Sequence, residues 1–360
     1  MSEVEKDMFI QSLFKNNNYI VSKRNYLSDY SMIETNKIDM TLSGKYLNNY
    51  GNIKINIKDF DKYPSQKEIK ELENEIKKDL NIDREILFGA GANGILQNLV
   101  KIFFLKKGNL VTPFYTFNQV EFAVTSFCSE TYRVYTNNYK IDFSKLKKSI
   151  NKKTRMVYIC NPNNPTGIYE KCEDILKFAN DVNIPVIVDE SGIEFTGEKS
   201  LLNYSNLPKN LFIVRSFSKA YGLANFRLGY LVCDKSFKQR YIENITTNEF
   251  SRLSCIVATE LLKNCKENIY QNILEIKKEK KIMIDKLNEL GIECILSQSN
   301  TIMTKSHFNV KFLGLLQMNG VSVVPVYDEF NKLHIRIAIQ DVKTNKKFIN
   351  VIRKIIKCKY

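Results

Sequence analysis

Residues 65–80 read Ser-Gln-Lys-Glu-Ile-Lys-Glu-Leu-Glu-Asn-Glu-Ile-Lys-Lys-Asp-Leu, which sets Ile69, Leu72, Ile76 and Leu80 on one stripe at helical spacing. The period then changes. Short apolar runs at Ile86–Phe88, Asn109–Thr112, Met156–Cys160, Pro185–Val188 and Leu211–Val214 read as strands. Helix-period stretches separate them at 93–106, 117–125 and near 171–182. Alternation on this scale predicts an α/β fold with a mostly parallel sheet, right-handed crossovers and helices on both faces. From about residue 252 the pattern predicts one long helix through roughly 286. Strands near 291–296, 321–326 and 333–339 and a terminal helix follow. This end, with the first residues, reads as a smaller α+β unit, so the expected division is 1–50, 51–251 and 252–360.

Composition narrows the class. A chain of 360 residues with 44% hydrophobic content suits a globular protein with a packed core. No apolar run approaches the roughly 20 residues that span a bilayer. The polar, acidic start, Met1-Ser-Glu-Val-Glu-Lys-Asp, is unlike a secretory signal. The eight cysteines are scattered without a Cys-x-x-Cys pair, which argues against a zinc ribbon or a disulfide framework and fits a reducing cytoplasm. There are only two histidines, His307 and His334, too few for a His-rich metal centre, and a Ser-His-Asp triad is not expected. His334 falls in the alternating run Leu333–Ile339 and is expected on one face of a strand. The net charge of +15 raises the question of nucleic acid. Its densest runs, Lys277–Lys281 and Lys346-Lys347, are interleaved with helix-period apolar residues and read as solvated helix faces. Small-molecule partners are therefore expected, with neither nucleic acid nor membrane.

The candidate chemistry lies at strand ends. Arg215-Ser-Phe-Ser-Lys219-Ala-Tyr-Gly-Leu-Ala-Asn-Phe-Arg227 follows the run Leu211–Val214. It offers two hydroxyls, an amine and a guanidinium where open α/β sheets place ligands. Gly89-Ala-Gly91-Ala-Asn-Gly94 fits G-x-G-x-x-G between a strand and a helix. A dinucleotide site also needs an acid about 20 residues on. Leu110-Val-Thr-Pro-Phe114 supplies none, so an NAD oxidoreductase is the weaker reading. A Gly-rich turn presenting backbone N–H groups to one phosphate explains the run. Asn161-Pro-Asn-Asn164-Pro-Thr-Gly167 is a rigid turn after a strand, and Asp189-Glu190 closes another strand with a carboxylate that could face a cation in the cleft.

In that order, Gly91-Ala-Asn93, Asn164-Pro-Thr-Gly, Asp189-Glu and Ser216-x-Ser-Lys219 with Arg227 resemble the motif set of fold type I pyridoxal-phosphate (PLP) aminotransferases of class I/II. The branch resembled is that of histidinol-phosphate aminotransferase and threonine-phosphate decarboxylase. The likeness runs from about Tyr63 to Arg336 and implies PLP as cofactor and a homodimer. It implies that Lys219 carries the cofactor as an aldimine and that Asp189 pairs with the pyridine nitrogen. Asn164 would bond the ring's phenolic oxygen, and Tyr115 would stack on the ring. Gly91, Ala92, Asn93, Ser216, Ser218 and Arg227 would hold the phosphate, with Tyr63 reaching it from the neighbouring subunit. Arg336 would grip the acidic group of the substrate, a task that suits a planar guanidinium.

Three departures from the family pattern matter. Ser191-Gly192 stands where many aminotransferases have Ala-Tyr, so a donor to the phenolic oxygen is missing and space opens beside the ring. No arginine stands at or next to Val324, where histidinol-phosphate enzymes carry a phosphate-binding one. The usual Asn-x-Asn-Pro segment has no clear match in Asp39-Met-Thr-Leu-Ser-Gly44. The expected activity is transfer of an amino group between an amino acid, or an amino-acid-derived and possibly phosphorylated donor, and a keto acceptor. The alternative is PLP-dependent decarboxylation of an amino acid or amino-acid phosphate.

Overall fold

The computed structural model describes residues 38–42, 53, 61–245 and 249–357. Among them, the chain runs β1 (Ile38–Asp39), α1 (Gln66–Leu80), β2 (Glu85–Ala90), α2 (Gly91–Phe103), β3 (Asn109–Pro113), α3 (Gln119–Ser126), β4 (Glu130–Val134) and α4 (Phe143–Lys148). It continues with β5 (Thr154–Cys160), α5 (Cys172–Asp181), β6 (Val186–Asp189), β7 (Leu211–Ser216), β8 (Leu228–Cys233) and α6 (Lys235–Asn244). The last part is α7 (Arg252–Asn264), α8 (Lys266–Glu289), β9 (Thr301–Met303), α9 (Val310–Met318), β10 (Val321–Ser322), β11 (Val324–Tyr327), β12 (Leu333–Ala338) and α10 (Val342–Lys357).

The helix expected over 65–80 forms because its apolar stripe is buried at Leu72 and Ile76 and its start is capped. The Ser65 hydroxyl accepts from the Glu68 N–H, and the Glu68 carboxylate accepts from the Ser65 N–H. Such a cap contributes about 1 kcal/mol.

The main sheet has the order β2-β8-β7-β6-β5-β3-β4. Every pair is parallel except those of β8, which runs against both β2 and β7. Alternate residues of its central strands enter two separate cores. Val157, Ile159, Val186, Val188 and Ile213 face one side. Met156, Tyr158, Ile187, Phe212 and Val214 face the other. Both faces are therefore covered, which is why these strands read as continuous apolar runs.

One consequence positions the site. β2, β5, β6 and β7 all end on the same edge of the sheet, while the reversed β8 begins there. Ala90 pairs with Leu228 and Ser216 with Gly229, so Arg227, just before β8, arrives beside the ends of β2 and β7.

The C-terminal part forms an antiparallel sheet in the order β11-β12-β9 and a short parallel pair of β1 with β10. The Ala338 N–H donates to the Met40 carbonyl and ties the two together. α7 packs on α1 with Arg252 paired to Glu68 at 2.7 Å.

Three expectations need correction. The helix from 252 is two helices broken at Cys265, whose backbone leaves the helical region (φ −125°, ψ 20°). Asn264 and Cys265 are both poor helix formers. The strand near 291–296 does not form; Cys294 makes only an isolated bridge with Thr304. The Ser297 and Ser299 hydroxyls accept from nearby backbone N–H groups instead, and the strand appears at Thr301–Met303. The strand at 321–326 is two strands in two sheets, divided at Val323. β4, β8, α4, α6 and α9 were not expected. The reading of residues 1–50 falls, apart from 38–42, outside the described residues.

Candidate active site

The end of β2 is built for an anion. Gly91 opens α2 with φ +72°, a conformation that favours glycine, and Ala90 before it gives no capping side chain. The first N–H groups of a 13-residue helix are thus left without a side-chain acceptor at the cap. A Cβ on Gly91 would lie 2.7 Å from Nη2 of Arg227. A Cβ on Gly229 would lie 2.5 Å from the Ala92 nitrogen. The guanidinium and the Ala92 N–H can come this close to the backbone because both positions lack a side chain. Arg227 Nη1 donates to the Ser218 hydroxyl at 3.4 Å and to the Ala224 carbonyl at 3.1 Å. The Ser216 hydroxyl accepts from the Ser218 N–H at 3.0 Å. Gly91, Ala92, Ser216, Ser218 and Arg227 therefore share one corner. Asn93 follows in the first turn of α2, with its Oδ1 buried and without a hydrogen-bond partner.

The end of β6 holds a fixed carboxylate. Asp189 is buried, and its Oδ1 accepts from the Ser191 N–H at 2.9 Å. Its Oδ2 accepts from the hydroxyl of Tyr158 at 3.1 Å. Tyr158 and Cys160 lie on the same face of β5. Burial, with the Asp189 charge added, holds the Tyr158 phenol well above its usual range and pushes the Cys160 thiol up to about 12. The charge of Lys219 opposes that rise at Cys160. Lys219 Nζ lies 3.9 Å from the position a Cβ on Gly192 would take, and Pro162 Cγ lies 3.6 Å from it. The Ser191 hydroxyl is buried without a partner.

Glu190 has a different task. Its carboxylate is fully buried, accepts from the Leu201 N–H at 2.8 Å and pairs with Arg215 at 3.2 Å. Burial raises its pKa and the Arg215 charge opposes that rise. Arg215 also pairs with Glu194 at 2.8 Å, so these groups fasten the loop after β6 to β7.

Asn164 and Arg336 meet across the two parts of the chain. Arg336 Nη1 donates to Asn164 Oδ1 at 3.3 Å, and Nη2 donates to the Thr41 carbonyl. Val324 lies opposite Arg336 in the β11–β12 register and is buried. Tyr115 is buried, stands near Tyr139 (ring centroids 5.4 Å) and donates its hydroxyl to Glu329 at 3.0 Å. Burial first, and that carboxylate second, raise its pKa. The Tyr115 carbonyl accepts from the Asn163 amide at 3.0 Å. Tyr63 stands outside this gathering and is 79% exposed.

Tyr158, Asn163 and Glu329 escaped the sequence reading. Tyr158 carried a usable signal. A tyrosine inside an apolar strand needs a partner for its hydroxyl, and the neighbouring strand ends on Asp189. Glu329 carried none, since it lies in a turn 214 residues from Tyr115.

The corner at Gly91 fits a phosphate monoester: donors, a guanidinium and a helix N-terminus converge there. The anchored Asp189 fits a cationic ring nitrogen, and Lys219 supplies a nearby amine. These are the functional groups that PLP requires.

Comparison with known proteins agrees. The model of the family "Aminotransferase class I and II" matches residues 48–352. Histidinol-phosphate aminotransferase 1 of Archaeoglobus fulgidus is 30% identical over 300 residues, covering 82% of this chain and 91% of that one. In structure, the histidinol-phosphate aminotransferase of Clostridium acetobutylicum superposes with a TM-score of 0.79 at 24% identity, covering 89% and 99% of the two chains. The L-threonine-O-3-phosphate decarboxylase of Porphyromonas gingivalis does so with a TM-score of 0.72 at 20% identity, covering 89% and 99%. Both likenesses are of fold.

Proposed function

Because the chain belongs to the class I and II aminotransferase family and is a PLP-dependent aminotransferase, we propose that Lys219 is its catalytic lysine and that Arg336 holds the acidic group of an amino-acid-derived donor. The observation that carries this reading is the convergence of Gly91, Ser218 and Arg227 on one side and Asp189 and Lys219 on the other, at one edge of the sheet.

When bound, PLP supplies an electron sink for charge developing at the substrate α-carbon. The protein's own groups do the rest. The N–H groups at Ala92 and Asn93, the Ser216 and Ser218 hydroxyls and Arg227 hold the phosphate, with Tyr63 joining from a second subunit of a homodimer. The Asp189 carboxylate, itself held by Tyr158 and the Ser191 N–H, keeps the pyridine nitrogen protonated. Asn164 contacts the phenolic oxygen, and Tyr115 covers the ring. Lys219 Nζ takes and returns the proton at the substrate α-carbon. The reaction takes place in the cytoplasm.

The relatives named for histidinol phosphate point to a phosphorylated donor. The apolar Val324 beside Arg336 favours a carboxylate as the group that Arg336 meets. The PLP-loaded protein should therefore be given glutamate and a panel of amino-acid phosphates while its visible absorbance is followed. A yellow band that bleaches with stoichiometric keto product names the donor and supports transamination. A band that persists with every donor, accompanied by CO2 release, favours the decarboxylase reading. A protein that develops no band with PLP does not use Lys219 as proposed.

A further inference from the structure

The two histidines, set aside on sequence grounds, meet in the fold. His307 precedes the bridge of Phe308 with Leu333, and His334 follows on β12. Their rings lie edge to face with centroids 4.7 Å apart. Between them stands Asp328, from the turn after β11. Its Oδ2 is 3.5 Å from His334 Nε2 and 3.9 Å from His307 Nε2.

The hydrogen bonds around this trio decide what its inner atoms can do. Nδ1 of His334 is 2.9 Å from the Thr304 carbonyl, which can only accept, so Nδ1 carries a proton. Nε2 is therefore the nitrogen turned toward Asp328 Oδ2, 3.5 Å away. That Nε2 is fully buried and has no hydrogen-bond partner. Asp328 Oδ1 is already occupied, accepting from the Phe330 and Lys332 N–H groups at 2.9 and 2.7 Å. Oδ2 is therefore the oxygen turned to the two imidazoles. Each of these two ligands has its other polar atom fixed by the backbone, as outer-shell contacts fix metal ligands. His307 is half exposed.

We propose that His307, Asp328 and His334 form a binding site for a divalent transition ion of the zinc class. Two imidazoles and one carboxylate are borderline ligands suited to such an ion. At metal–ligand bonds near 2.05 Å, tetrahedral ligands stand about 3.3 Å apart. The His334–Asp328 pair is near that spacing, and all three ligand atoms lie within 4.8 Å of one another. A small rotation of His307 closes the rest, and its exposed side leaves the fourth position to water. The charge of Lys332 acts on His307 and opposes binding of a cation there. The turn the ion would fasten carries Glu329, the acceptor of the Tyr115 hydroxyl.

The test is zinc titration of the PLP-loaded protein against a chromophoric chelator, with the wild type, His307→Ala, Asp328→Asn and Cys128→Ser compared. His307 is exposed, and asparagine at 328 keeps an oxygen for the two backbone donors, so both ligand variants should fold. One zinc per chain is expected in the wild type and in Cys128→Ser, with affinity at least about 10²-fold weaker in the two ligand variants. No binding at micromolar free zinc overturns the proposal. So does unchanged affinity in both ligand variants, or loss in Cys128→Ser, which would assign the metal to the exposed thiol.

Discussion

Gly91, beside Arg227, and Gly192, beside Lys219, differ in what they allow. At Gly91 the backbone is left-handed, and an added Cβ would sit 2.7 Å from Arg227 Nη2. At Gly229, across from it, a Cβ would sit 2.5 Å from the Ala92 nitrogen and 2.9 Å from the Arg215 carbonyl oxygen. At Gly192 the φ is −128°, and the nearest atoms to a Cβ are at ordinary contact distance, 3.6 Å to Pro162 and 3.9 Å to Lys219 Nζ. The corner at Gly91 is packed to its limit, while the space beside the amine has slack. A tight corner keeps donors aimed without reorganisation on binding.

The comparison depends first on Lys219 being the reactive amine. Lys219→Ala should reduce turnover by at least about 10⁴-fold with the circular dichroism spectrum unchanged. Retained turnover would remove the reason for calling that side reactive. Next comes the tight corner. Gly91→Ala forces a left-handed alanine, which costs about 1–2 kcal/mol, and pushes Arg227 from its place. PLP affinity, read by absorbance titration, should fall by about 10²-fold. An unchanged affinity would mean that the corner does not hold the phosphate.

Tyr158→Phe probes the wall between the two regions. It removes the hydroxyl that Asp189 Oδ2 accepts from, in a fully buried setting. A buried hydrogen bond to a charged group is worth about 1.5–3 kcal/mol, and the urea midpoint of the cofactor-free protein should drop accordingly. Saturating PLP should shrink the loss, because the ring nitrogen gives Asp189 another partner. A loss that is the same with and without PLP would separate Asp189 from the cofactor.

The two regions were unequally legible in the sequence. The tight corner was readable because its parts are glycines, serines and one arginine in short runs at strand ends, where local chemistry announces an anion site. The reversed β8 that delivers Arg227 was not expected, since Leu228–Cys233 was not marked as a strand and its direction depends on long-range pairing. The loose side was legible as a departure, Gly192 in place of an aromatic, but not as a volume. The Tyr158–Asp189 and Tyr115–Glu329 bonds join residues 31 and 214 apart in sequence, and no local period encodes them. The same holds for His307 and His334, which lie in different segments and meet only because the chain folds back from β9 to β12. The break at Cys265 escaped for the opposite reason: the apolar period continues across it while the backbone does not.

The smallest expected effect is the most telling about slack. Gly192→Ala adds one methyl where nothing lies closer than 3.6 Å, at a φ that alanine adopts without strain. The added side chain restricts the unfolded chain more than the folded one, so stability should rise by about 0.4–1 kcal/mol. Turnover should stay within about threefold of the wild type, since a change that small is under 1 kcal/mol at the barrier. The contrast with Gly91→Ala would then be complete: the same methyl is accepted beside Lys219 and refused beside Arg227. If Gly192→Ala instead raises stability while cutting turnover tenfold or more, the space beside Lys219 Nζ is not idle. The slack would then be the path of the lysine, and the glycine would be there for movement.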